Sequence, residues 1–130
     1  MTTAFDLAKR DAWTTTRIER TMTDVIQIST TTANALDAGK IASALVERRL
    51  AACVQVSGPI VSRYRWDGQV EESTEWLCTA KTTRNAYQQV ESTIREQHPY
   101  DVPEIIAVPV VTGSDDYLQW VRAEVSVDAD

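Results

Sequence analysis

Ile60-Val61-Ser62-Arg63-Tyr64-Arg65-Trp66-Asp67-Gly68-Gln69-Val70-Glu71, running on through Trp76, Cys78 and Ala80, is the stretch that decides the fold. Two β-rich runs meet at Asp67-Gly68, the two-residue pair that favours a type I′ turn and closes a hairpin. The spacing therefore predicts one long β-hairpin over 60–80. Alternation puts Ile60, Ser62, Tyr64 and Trp66 on one face and Val61, Arg63 and Arg65 on the other. On the return arm Trp76, Cys78 and Ala80 alternate with Leu77, Thr79 and Lys81. Gly58-Pro59 separates this hairpin from a short preceding strand over 53–56.

Outward from the hairpin, helices and strands alternate. Val25-Ile26-Gln27-Ile28 is apolar and β-branched, which predicts a strand over 25–30. Thr30-Thr31-Thr32 then supplies turn and cap candidates. Ala38, Ile41, Ala42, Leu45 and Val46 fall at i, i+3, i+4, i+7 and i+8, one apolar stripe of a helix over 35–49. Tyr87, Val90 and Ile94 mark a second helix over 84–97. Pro99 biases His98 away from the α region, so that helix ends there. Pro103 stands at the mouth of a strand over 104–110. A last helix starts near Gly113-Ser114, with Ser114 as N-cap candidate and Asp115 and Asp116 at its positive end. Tyr117, Leu118, Val121 and Val125 form its apolar side.

The order β-α-β-β-α-β-α predicts an α+β fold: a ferredoxin-like βαββαβ sandwich with an antiparallel four-stranded sheet and an extra C-terminal helix. Helices on one face leave the other face, with its Ile, Val, Trp and Tyr residues, in need of cover, so the sequence predicts oligomerisation. Residues 24–125 form the domain. Residues 1–23 are an N-terminal extension, with a short helix expected over 4–13 from Ala4, Phe5, Ala8, Ala12 and Trp13. Residues 126–130 are an acidic tail.

Composition narrows the function. The 130 residues suffice for one domain that buries roughly two-thirds of its unfolded surface. A net charge of −6 argues against a nucleic-acid backbone as partner. No window approaches the roughly 18 apolar residues of a membrane span, so no membrane partner is expected. Two cysteines and no secretory segment point to reduced thiols in cytoplasm. Cys53 and Cys78 lie 25 positions apart without a CxxC, which fails the zinc-ribbon pattern and favours burial as small hydrophobes. The four glycines are scattered, with no phosphate loop, and there is no nucleophile elbow, so no enzyme is expected. The lone histidine, His98, sits where it can cap a helix C-terminus.

Three stretches together carry a resemblance: His98-Pro99-Tyr100-Asp101-Val102-Pro103-Glu104-Ile105-Ile106, Leu50-Ala51-Ala52-Cys53-Val54, and Ser62-x-Tyr64-x-Trp66-x-Gly68 followed by Val70-Glu71. Their order and spacing resemble the divalent-cation tolerance family CutA from about Asp24 to Val125. The resemblance implies a homotrimer whose sheets pack together and whose hairpin reaches a neighbour. It implies a role in divalent-metal, especially copper, tolerance or response, as a metal- or small-ligand-binding regulatory protein. It also raises His98, with help from Glu104, as a candidate Cu(II) ligand, since imidazole suits Cu(II). Copper-binding relatives are expected to carry a second histidine where Gln97 stands and a cysteine where Ser29 stands. Weak binding is therefore the expectation, with no cofactor required. Tyr64, Trp66, Lys81, Tyr100 and Glu104 are candidates to line a cleft between subunits. The architecture is also similar to the trimeric PII signalling proteins, whose intersubunit clefts bind small effectors, a fold-level analogy. The alternative reading is a structural trimeric scaffold that docks a protein partner and has no ligand of its own. The state of the cavity beside Tyr100 separates the two: open and polar for a ligand, filled for a scaffold.

Overall fold

The structure, a computed structural model, describes residues 24–127. The helix expected over 4–13 lies outside the described residues, as does the tail from 128 onward. The elements are β1 (Val25–Thr32), α1 (Ala35–Glu47), β2 (Cys53–Trp66), β3 (Gln69–Thr83), α2 (Tyr87–Gln97), β4 (Ile106–Pro109) and α3 (Asp115–Glu124), with a 3₁₀ turn Arg84–Ala86 leading into α2. The sheet order is β2-β3-β1-β4, and every pairing is antiparallel. This is the expected ferredoxin-like α+β sandwich with an added C-terminal helix.

The hairpin behaves as its turn chemistry requires. Trp66 pairs with Gln69, so the loop is two residues long. Asp67 and Gly68 both have positive φ, 55° and 77°, the type I′ signature. The short strand and the first arm of the hairpin are, however, one continuous strand. Gly58-Pro59 does not end β2; it sits within a register shift between Ser57 and Ile60 that adds one residue to β2 against β3. Such a bulge bends a strand and raises its twist without ending the ladder. Gly58 is needed there, because a Cβ would lie 2.6 Å from the Trp76 ring.

Helix boundaries differ from the sequence expectation where side chains decide them. Asn34, not a threonine, caps α1: its side chain accepts from the Asp37 amide at 2.8 Å. Thr32 instead donates to the Asn34 carbonyl at 2.7 Å. The helix ends at Glu47, and Arg49 adopts the left-handed conformation at φ 59°. Ser114 occupies the N-cap position of α3 but makes no side-chain cap bond. β4 is shorter than the expected strand because it is an edge strand with partners only on β1.

Two apolar clusters hold the layers. Ile26, Ile28, Ile41, Leu45, Ala80, Val90 and Ile94 join β1 and β3 to α1 and α2. Val25 packs instead with Leu118 and Val121 of α3. Val25 and Ile26 are successive strand residues and point to opposite faces. The third helix therefore covers one end of the other face, which corrects the expectation that helices cover a single side. The rest of that face is also more polar than expected. The register aligns Gln27 with Lys81 and Val108, Ser29 with Thr79 and Ile106, and Gln55 with Thr79. Large apolar groups on this face come from β4, through the exposed Ile106 and Val108, and from β3, through the half-buried Leu77.

Candidate functional site

The hairpin's outer half and the turn after α2 together enclose a cavity of about 760 Å³. Register explains which hairpin residues reach it. Ile60 pairs with Glu75, Ser62 with Ser73 and Tyr64 with Glu71, so these side chains share one face with Trp66. The bend at the bulge carries that face over the α2–β4 turn. Tyr64, Trp66, Glu71 and Glu75 line one side, and Tyr100, Asp101 and Glu104 line the other. The Tyr64 hydroxyl is tied to Ser73 Oγ, which holds the ring against its own hairpin.

His98 builds the wall rather than opening a ligand position. It is buried, and both ring nitrogens are engaged. Nδ1 accepts from the Tyr100 amide at 3.1 Å, so Nε2 carries the proton and donates to the Thr31 carbonyl at 2.7 Å. The ring also lies 4.7 Å from the Tyr100 ring, tilted by 52°. The expectation of a helix cap is thus corrected in its partner: the carbonyl that His98 satisfies belongs to β1, not to the helix. The expectation of a Cu(II) ligand is corrected too, since no lone pair of this imidazole is free. Thr31 and Tyr100 both line the cavity. His98 is therefore a positioning residue that clamps a strand end to the cavity turn.

Other sequence candidates are placed as follows. Tyr64, Trp66, Tyr100 and Glu104 meet in the one cavity within a single chain. Lys81 does not join them: it lies six residues from Glu75 along β3, roughly 20 Å away, and hydrogen-bonds Gln55 on the open sheet face. Cys53 is half-buried directly across from Lys81. Cys78 is buried on the helix side, where its thiol donates to the Ala38 carbonyl at 3.6 Å. Burial raises the Cys78 pKa from 9.0 to about 11, so it is a poor thiolate. The Tyr100 hydroxyl is also held above the ordinary tyrosine range, first by burial and then by the negative charge of Glu75. Among the described residues, no three His, Cys, Asp or Glu side chains converge closely enough to hold a metal ion.

Glu71, Glu75 and Asp101 are the acidic site residues that sequence reasoning missed. Glu75 is nine-tenths buried although it stands on the arm opposite exposed hairpin residues. Its neighbour Trp76 was the only local signal, and alternation alone reads Glu75 as wet.

A family model described as CutA1 divalent ion tolerance protein matches residues 26–124. The chain belongs to the CutA1 family. It is similar to the divalent-cation tolerance protein CutA of Thermus thermophilus, 48% identical over 82 residues, which cover 63% of this chain and 80% of that protein. It is similar to the chloroplastic CutA protein of Arabidopsis thaliana, 40% identical over 83 residues, 64% of this chain; the chain spans about half of that relative, 46% of its length. The solved structure of the Thermus thermophilus protein superposes with a TM-score of 0.77 at 40% identity, over 78% of this chain and 99% of that one. The CutA fold of this chain thus carries an open cavity on its hairpin and a lone imidazole that is fully hydrogen-bonded.

Proposed function

We propose that this CutA-family chain is a homotrimeric, ligand-binding regulatory protein of the divalent-metal response, copper included, acting in the cytoplasm without catalysis. The cavity beside Tyr100 carries the ligand-binding part of this reading. At about 760 Å³ it lies in the range of small-molecule sites, with aromatic walls and a few convergent polar groups. A scaffold that only docked a partner would be expected to pack such a space with side chains. The metal-response part draws on the names of the relatives, and it is routed through the cavity rather than through His98. The non-catalytic part draws on the same chemistry: the one imidazole is committed on both nitrogens, and the Cys78 thiol is buried and hard to ionise. No described helix is long and apolar enough to cross a membrane.

Apolar surface left wet by a single chain supports the trimer. Ile106 and Val108 on β4, and Val61, Trp66 and Val70 on the hairpin, are each more than half exposed. Surface of this kind on a small domain marks an interface. Native mass spectrometry of protein taken directly from its host tests both parts at once. The expected result is a species of about 43.5 kDa, three chains of 14.5 kDa, with a small molecule retained. A stable 14.5 kDa species without a bound molecule would sink the reading. Trp66→Ala should weaken assembly by about 2 kcal/mol or more if Trp66 is an interface anchor, read as a shift to lower mass on dilution in light scattering.

A further inference from the structure

The lining of the cavity is electrically one-sided. Four carboxylates face it: Glu71, Glu75, Asp101 and Glu104. Among the described residues Arg63 is the only cation in the lining, and its guanidinium is paired with Glu72, which is not part of the lining. Glu75 decides the matter. It is 9% exposed, and among the described residues its carboxylate has neither a hydrogen bond nor an ion pair. Its oxygens open into the cavity, where a cation can meet them in place of water. Among the described residues none supplies that cation, which leaves the position open to one from outside.

The surroundings say which kind. Tyr64, Trp66 and Tyr100 give the cavity aromatic walls, and an ammonium or guanidinium over a ring face is attracted by the ring quadrupole. The Tyr100 hydroxyl, held above the ordinary tyrosine range first by burial and then by the charge of Glu75, lies in the same negative field. A compact metal ion needs several hard ligands at about 2 to 2.6 Å, and the carboxylates do not converge in that way. Carboxylates spread around a cavity of about 760 Å³ suit positive charges spaced along an organic chain.

We infer that the cavity binds an organic cation of the alkylammonium class, with Glu75 as its buried counter-ion and Tyr64, Trp66 and Tyr100 as its aromatic walls. The inference rests on the reading of this cavity as a ligand site. The ammonium has two sources: a free di- or polyamine, or a lysine side chain of a second copy of the chain.

Calorimetric titration of the full-length chain with spermidine, and with the neutral chain 1,8-octanediol, is the test. Wild type should bind spermidine saturably and octanediol not at all. Glu75→Gln, an isosteric change, should weaken spermidine binding at least about tenfold, as expected for loss of a charge-assisted contact. Tyr64→Leu should weaken it by about threefold or more through the lost cation–π wall, with circular dichroism confirming the fold of both variants. If a lysine of a second copy fills the cavity, spermidine will not bind the assembled protein. Glu75→Gln will then lower the mass seen by light scattering on dilution, which also supports the inference. Equal spermidine affinity in wild type and Glu75→Gln overturns it. So does an absence of spermidine binding with unchanged assembly in that variant. A neutral or anionic molecule retained by the native protein would overturn the cation while leaving the ligand-site reading intact. No retained molecule and no binding of either probe would sink both.

Discussion

His98 and Glu75 are buried to nearly the same degree, 8% and 9% exposed, and both stand at the hairpin end of the sheet. One has every polar atom of its side chain satisfied; the other has no hydrogen bond at all among the described residues. A buried polar group that is fully bonded belongs to the architecture, whereas a carboxylate that lines a cavity without a partner among the described residues is available to a ligand. The family resemblance directs attention to the imidazole as the chemical group. The structure moves it to the carboxylate. The experiments that follow try to break that contrast.

The largest effect should come from His98→Ala. It strands the Thr31 carbonyl and the Tyr100 amide and leaves a cavity the size of an imidazole. A loss of about 3 kcal/mol is expected from the unsatisfied groups and the lost packing. Urea unfolding at fixed protein concentration measures it, since the proposed assembly would make stability concentration-dependent. A loss below about 0.5 kcal/mol, the level of a neutral surface change, would mean that His98 is not the clamp described above.

Cys78 is a third buried titratable group and calibrates the other two. Its thiol has one weak partner, the Ala38 carbonyl, and burial lifts its pKa from 9.0 to about 11. The unfolded chain therefore gives up the thiol proton at lower pH than the folded chain does. Stability contributed by the neutral thiol is complete below pH 9 and is lost as pH rises towards 11. The loss across that window should be roughly 2 to 3 kcal/mol. Tyr100 shifts in the same direction, so the relevant quantity is the difference between wild type and Cys78→Ala. Parallel stability curves for the two proteins between pH 8 and about 11 would refute the assignment.

The third effect is smaller and opposite in sign. Glu75→Gln removes a buried charge without changing shape. The free protein should gain about 1 kcal/mol, because a buried unpaired carboxylate is traded for a neutral amide. Differential scanning calorimetry in amine-free buffer would record a rise of a few degrees in Tm. A lower Tm with unchanged mass in light scattering would show that Glu75 has a partner within its own chain, and the contrast with His98 would collapse.

How far these contrasts could be read from the chain depends on the residue. The Asp67-Gly68 turn, the apolar stripe Ala38–Ile41–Leu45 and the element order are local signals, and each appears where its period places it. Tyr64, Trp66, Tyr100 and Glu104 were legible as a group because aromatic and acidic residues cluster in two short segments. Their neighbour Glu75 was not, because its burial depends on a bulge at Ser57 and Ile60 that bends the hairpin over a distant turn. Lys81 was misplaced for the same reason: a strand end is near a cleft only in the right register, and here that register faces Gln55. The partner of His98 is a backbone carbonyl 67 residues away, which no side-chain pattern announces.

The smallest expected effect is a null one, and it bears on the imidazole directly. Copper titration with both thiols blocked should give the same weak binding for wild type and His98→Gln, within about twofold, since Cu(II) finds some affinity at almost any N/O site. For His98 to ligate, Nδ1 must release the Tyr100 amide or Nε2 must lose its proton and the Thr31 carbonyl. Any affinity gained there is reduced by the fraction of molecules in which the corner is open. That fraction is small if the first prediction holds, because a clamp that contributes about 3 kcal/mol is open in under one molecule in roughly a hundred. Copper binding that disappears in His98→Gln, together with a copper-induced fall in thermal stability of wild type, would reverse the contrast. The corner at His98 would then be the responsive end of the molecule, and the carboxylate at Glu75 the static one.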